Sequence, residues 1–168
     1  MHGHQQIVKL AEHYLRSSLF GSTLLLGGPT GERNTLSFAA RGALLCLAAT
    51  TKGLLNQIAA ALTTGNQVLL PRQAEALIPH DLPAAVRQQI LWVLDLASCD
   101  VPFQVALVET AFAQDVKIAL AARPGLLVAT IDTTEDDAIP LWRLVAERAL
   151  CVNTTAAGGN ASLMTLAL

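Results

Sequence analysis

The chain has 168 residues, of which 52% are apolar and 14% charged, and its formal net charge is −2. That length supports one domain with a real core, and so apolar a composition excludes a disordered chain. The near-neutral balance leaves no basic footprint for nucleic acid, and no uncharged apolar run approaches the length of a membrane span.

Ile7, Leu10, Ala11, Tyr14 and Leu15 recur at helical spacing and predict one apolar helix face, ended by Gly21. Two short apolar runs follow, Thr23 to Leu26 and Asn34 to Phe38. The turn-rich "GGPTGERN" (27–34) lies between them, so strand, turn, strand is expected, as a flap outside the main sheet. From Ala43 the pattern changes to apolar runs of strand length: "ALLCLAA" (43–49), "QVLLP" (67–71), "FQVALV" (103–108), "LLVATI" (126–131) and "ALCV" (149–152). Helical faces alternate with them: Leu54, Ile58, Ala61 and Leu62, closed by Gly65; a mostly helical stretch from Gln73 to Asp95, broken by turns at Pro79 and Pro83; Phe112, Val116, Ala119 and Leu120; and Ala138, Leu141, Trp142 and Val145. Apolar strands without polar alternation, separated by helices, predict a Rossmann-like α/β fold whose parallel sheet is covered on both faces. The expected organisation is an N-terminal helix and flap (1–42), a Rossmann-like domain (43–152) and a C-terminal segment (153–168).

Candidate chemistry is sparse. The first strand-to-helix connection, "AATTKGLL", holds one glycine, Gly53, where a dinucleotide fingerprint needs three. The "GGPTGERN" turn lacks the Gly-Lys-Ser/Thr ending of a phosphate loop and places Glu32 where a phosphate would sit. His2, His4, His13 and His80 are not spaced to share a metal. Asp132, Glu135, Asp136 and Asp137 form an acidic cluster expected to cap the helix after it. The cysteines, Cys46, Cys99 and Cys151, are an odd number without a CxxC pair. Cys46 and Cys151 lie in apolar runs and are expected to be buried, reduced thiols. No nucleophile is paired with a base. Lys9, Glu12 and Arg16 interrupt the first twenty residues, which do not read as a secretory signal, so a cytoplasmic setting is expected.

"GPTGERNTLSF" (28–38) and "CVNTTAAGGNASLMT" (151–165) resemble the C-terminal region of the proline utilization A family. The middle of the chain resembles an aldehyde dehydrogenase coenzyme domain through Ala61-Leu62-Thr63-Thr64-Gly65-Asn66 and Val68. Leu70 stands at the position of that superfamily's ribose-binding lysine, and Ile131-Asp132-Thr133-Thr134 replaces its "FTGS" turn. The segment that would carry the catalytic cysteine and its glutamate base is missing. The resemblance implies a noncatalytic domain with no catalytic, cofactor or metal residues of its own. It would belong to a bifunctional enzyme that oxidises proline with FAD and glutamate semialdehyde with NAD. There it would form a lid on the dehydrogenase module of the same polypeptide, help wall the substrate-channelling tunnel and take part in assembly.

On that reading Asn153, Thr154, Thr155, Gly158, Gly159, Asn160 and Ser162 form a docking element. The glycines permit close backbone approach, and the Asn and Thr side chains satisfy exposed main-chain groups. Pro29, Thr30, Gly31, Glu32, Arg33 and Asn34 form the flap turn, through which a homodimer is expected. The alternatives are a tail that covers its own sheet edge, an NAD-binding sensor or second dehydrogenase-like unit, and a free-standing oligomerisation protein.

Overall fold

The structure, a computed structural model, describes residues 2–96 and 99–154. Five parallel strands form the main sheet: β3 (Ala43–Leu47), β4 (Gln67–Pro71), β5 (Ile90–Val93), β6 (Phe103–Glu109) and β7 (Ala129–Thr133). Their order is β5-β4-β3-β6-β7, so β3 is central and all five of its residues are buried. Alternation along each strand divides the apolar runs between two faces. Leu44, Cys46, Val68, Leu70, Val105 and Leu107 pack with Leu54, Ile58 and Ala61 of helix α2 (Thr51–Thr63). Leu45, Leu69, Ala106 and Val108 pack with Ala113 and Leu120 of helix α4 (Ala113–Ala121). The expected α/β class, with helices on both faces, is the one observed.

Helix α1 (His2–Ser17) lies against α2. Tyr14 is buried, but Leu15, expected on the same face, is 67% exposed. Thr50 caps α2 by accepting a hydrogen bond from the Gly53 amide at 3.1 Å. Gly65, at φ 74°, turns the chain out of α2 with the Phe20 ring packed where a Cβ would point.

Three expectations are corrected. The Gln73–Asp95 stretch is not mostly helical: it holds a 3-10 turn at Arg72–Leu77, one α-helical turn, α3 (Ala84–Arg87), and the fifth parallel strand. Pro79 and Pro83 prevent a longer helix, and Ile90–Val93 pairs with Val68–Pro71. The helix expected around Ala138–Val145 is a single 3-10 turn, Leu141–Leu144, that buries Leu141 and Leu144. "ALCV" is not in the parallel sheet. It lies within β8 (Val145–Asn153), which pairs antiparallel with β2 (Glu32–Ala40), and β2 pairs with β1 (Thr23–Leu26). This three-stranded sheet is the flap, and nine residue pairs of the β2–β8 ladder, from Glu32↔Asn153 to Ala40↔Val145, hold it together.

Candidate functional site

In an open parallel sheet, ligands bind outside the carboxyl ends of the strands, where the strand order reverses. Here that point lies between β3 and β6, beside the N-terminus of α2. The chain's own side chains fill it. Glu109, the last residue of β6, accepts a hydrogen bond from the Ala49 amide through Oε2 at 2.6 Å. The same oxygen lies 3.1 Å from where a Cβ on Gly53 would stand. A carboxylate therefore occupies the positive end of α2, which in nucleotide-binding relatives of this architecture receives a phosphate. Deeper in, buried Gln57 donates to the Leu47 carbonyl at 3.0 Å and to Thr133 Oγ1 at 2.8 Å. Thr110 donates to the Thr133 carbonyl at 3.1 Å.

Two ion pairs lie around this crevice. Lys52 of α2 pairs with Asp136, and its pKa is raised, first by that hydrogen bond and then by the nearby carboxylates. Lys117 of α4 pairs with Asp132 of β7 at 2.8 Å. Asp136 and Asp132 therefore bridge to two helices instead of capping a following one, because no α-helix follows the cluster. Thr134 and Asp137 close a local turn, with Asp137 N donating to Thr134 Oγ1 at 3.0 Å. Leu70 is fully buried in β4. The N-terminal end of α2 thus carries a carboxylate, and the position that the resemblance aligns with a ribose-binding lysine is a buried leucine.

The sequence places Tyr14 on a helix face and does not mark Asn56, yet the two side chains join three elements. Tyr14 donates to Asn56 Oδ1 at 2.7 Å and accepts from the Ile139 amide at 2.8 Å. Asn56 donates to the carbonyls of Thr134 and Asp137 at 3.3 and 3.0 Å. Burial raises the Tyr14 pKa, against the lowering effect of the Ile139 hydrogen bond. Burial also pushes the Cys46 thiol upward. Cys151, expected to be buried, is exposed because β8 belongs to the flap, and Cys99 is half-buried. His13 and His80 are both exposed. The side chains of His2 and His4 are outside those described. Among the described residues no three His, Cys, Asp or Glu side chains converge as metal ligands, and no helix is long and apolar enough to cross a membrane.

The flap brings together the two segments that carried the resemblance. Glu32, Arg33 and Asn34 pair with Asn153, Val152 and Cys151, and Thr154 N donates to the Gly31 carbonyl at 2.7 Å. Gly31, at φ 93°, makes the turn, with Glu32 N bonded to the Pro29 carbonyl at 3.1 Å. Asn153 and Thr154 thus lie beside the flap turn. Thr155, Gly158, Gly159, Asn160 and Ser162 are outside the described residues. β1 is an edge strand, and Leu24, Leu25, Leu26, Leu150 and Val152 are exposed on the flap.

The parallel sheet, its flanking helices and the attached flap define an α/β domain with an aldehyde dehydrogenase-like fold. It is similar to the NADP-dependent glyceraldehyde-3-phosphate dehydrogenase of Bacillus halodurans C-125, with a TM-score of 0.51 and 17% identity over 75% of this chain and 31% of that one. It is also similar to proline utilization A of Bradyrhizobium japonicum, with a TM-score of 0.53 and 25% identity over 77% of this chain and 15% of that one. In sequence it is 42% identical over 169 residues to the bifunctional protein PutA of Rhizobium meliloti, and 38% identical over 165 residues to that of Escherichia coli K12. No family model matches. The chain belongs to the proline utilization A (PutA) family. The two alignments take in 95% and 96% of the chain but only 14% and 12% of those relatives' own length.

Proposed function

We propose that the chain serves as a noncatalytic domain of a bifunctional proline-catabolic enzyme in the cytoplasm. That enzyme would convert proline to glutamate with FAD and NAD held by other modules of the polypeptide. In this reading the domain covers the aldehyde dehydrogenase module as a lid on the substrate-channelling tunnel and takes part in assembly. The flap turn (29–34) and the C-terminal segment (153–168) make the contacts, and the flap also supports a homodimer. The chain divides, in this proposal, into an N-terminal appendage (1–42), a Rossmann-like domain (43–152) and a docking segment (153–168), with β8 joining the flap.

The observation that carries this reading is the crevice between β3 and β6. A domain that keeps a coenzyme-binding frame while placing Glu109 at the N-terminus of α2 is suited to a role for its surface, not its crevice. A lid has a physical use here, because a reactive aldehyde or its cyclic imine is conserved when bulk water is excluded and escape is blocked.

The test is deletion of residues 155–168 from the full-length parent, which leaves the β2–β8 ladder intact. Coupled turnover of proline to glutamate should develop a lag, while proline oxidation and the melting of the isolated domain stay as before. A truncation that melts the isolated domain and leaves coupled turnover unchanged would make the segment local core and end the lid reading.

A further inference from the structure

The flap joins the parallel sheet at a seam that holds an open cavity of about 370 Å³, walled by Arg41, Trp142, Arg143 and Glu147 over a floor that includes Val105 and Val145. We propose that this cavity binds a small organic dicarboxylate through the guanidinium groups of Arg41 and Arg143.

Both arginines are held in place before any ligand arrives. Arg41 Nε donates to the Arg143 carbonyl at 3.1 Å, and Arg143 Nη2 donates to the Thr130 carbonyl at 3.3 Å. Buried Asn66 accepts from the Arg41 and Gly42 amides at 2.7 and 3.1 Å and donates to the carbonyl of Leu144, next to Arg143, at 2.9 Å, and Arg143 N donates to the Pro140 carbonyl at 3.0 Å. Each tether uses one N–H and leaves the rest of the planar fork for a carboxylate. Among the described residues neither guanidinium is ion-paired with a carboxylate.

Two cationic forks in one cavity match a ligand with two separated carboxylates. The exposed Trp142 ring and the valine floor suit the short carbon chain between them. Glu147, in the same wall, repels any anion there, so the two separated carboxylates of a dicarboxylate, not total charge, distinguish the ligand from compact phosphate. Preorganised side chains lose little entropy on binding, which raises affinity at a site this open. The site lies away from the crevice beside α2, so the proposal stands independently of the lid reading.

The test uses the full 168-residue chain carrying W92F, so that Trp142 is the single fluorophore of its type, with glutarate as probe at low ionic strength. A saturable change in Trp142 emission is expected. R41Q and R143Q should each weaken binding about tenfold, the effect of one charge-assisted contact. E147Q should tighten binding, and the uncharged diamide of glutarate should be inert. Circular dichroism establishes that each variant is folded. If R143Q does not fold, because Arg143 also holds Thr130, R41Q alone decides. No saturable change, unchanged binding in R41Q, or phosphate binding as tightly as glutarate would each overturn the proposal.

Discussion

Replacing Tyr14 by Phe removes one oxygen from the centre of a network that joins α1, α2 and the loop before the Leu141–Leu144 turn. The ring still packs, so no cavity forms. What is lost is the acceptor for the Ile139 amide and the donor to Asn56 Oδ1, at 2.8 and 2.7 Å. Tyr14 is 1% exposed and Asn56 is fully buried, so water cannot readily take the hydroxyl's place. Each orphaned buried group costs about 1–3 kcal/mol, so Tyr14→Phe, which orphans two, should destabilise by about 2–6 kcal/mol. At roughly 2–4 °C per kcal/mol for a chain of this size, Tm falls by about 10 °C.

The phenol also sets a pH dependence. Its folded pKa is raised, so its stabilisation is complete below the unfolded value of about 10 and is lost as pH rises through the folded value. Urea unfolding at neutral and alkaline pH measures both effects. The gap between parent and variant should narrow as the medium becomes strongly alkaline, and a double-mutant cycle with Asn56→Ala should show coupling of 1 kcal/mol or more, about what contact pairs give. A neutral-pH difference under about 0.5 kcal/mol, the range of ordinary surface changes, would refute the network's role.

Alkylation under native conditions should modify Cys151 first and Cys46 last, since one is exposed and the other is buried with its thiol pKa raised; peptide mass spectrometry gives the order. Calorimetric titration with NAD should give no binding heat, and a micromolar dissociation constant would contradict the reading of a filled crevice. Leu25→Glu, at a position 72% exposed on the flap's edge strand, should weaken self-association in sedimentation while leaving Tm within about 1 °C, because it alters no core contact.

Three of the five parallel strands, β3, β4 and β6, were readable because each is a continuous apolar run bounded by turn residues, the pattern of a strand covered on both faces. "LLVATI" located β7 only roughly, since Leu126 and Leu127 are exposed and the strand runs Ala129–Thr133. Ile90–Val93 was not readable, because a short apolar run inside an Ala- and Leu-rich stretch fits a helix as well as a strand. Only its pairing with β4 decides between them. β8 misled in the opposite sense. Its "ALCV" core reads as a buried strand, but the same strand carries Glu147 and Arg148, and such charges suit a strand with solvated faces. The absence of a fingerprint glycine loop was local and visible. The carboxylate of Glu109 was not, because its contact with Ala49 spans 60 residues of sequence. Tyr14 was legible as a core residue but not as a hydrogen-bonding hub, since its partners at Asn56 and Ile139 are distant along the chain.

How the flap is attached bears on what the domain can do with it. The chain crosses between flap and parallel sheet at Ala40–Ala43 and again at Leu144–Val145. Asn66 bonds to both crossings, and Gln67 N donates to the Gly42 carbonyl at 2.9 Å, so the start of β4 is locked to the first. Gly42, at φ 108°, makes the bend that brings the two amides onto one side-chain oxygen. The buried Asn66 amide, with the Gln67–Gly42 and Arg41–Arg143 bonds, therefore helps fix the angle at which the flap leaves the sheet. For the docking role proposed above that rigidity is useful, because a flap held at a fixed angle loses less freedom on association than a hinged one. In this fold the asparagine serves the joint between the two sheets, and its use does not depend on a coenzyme.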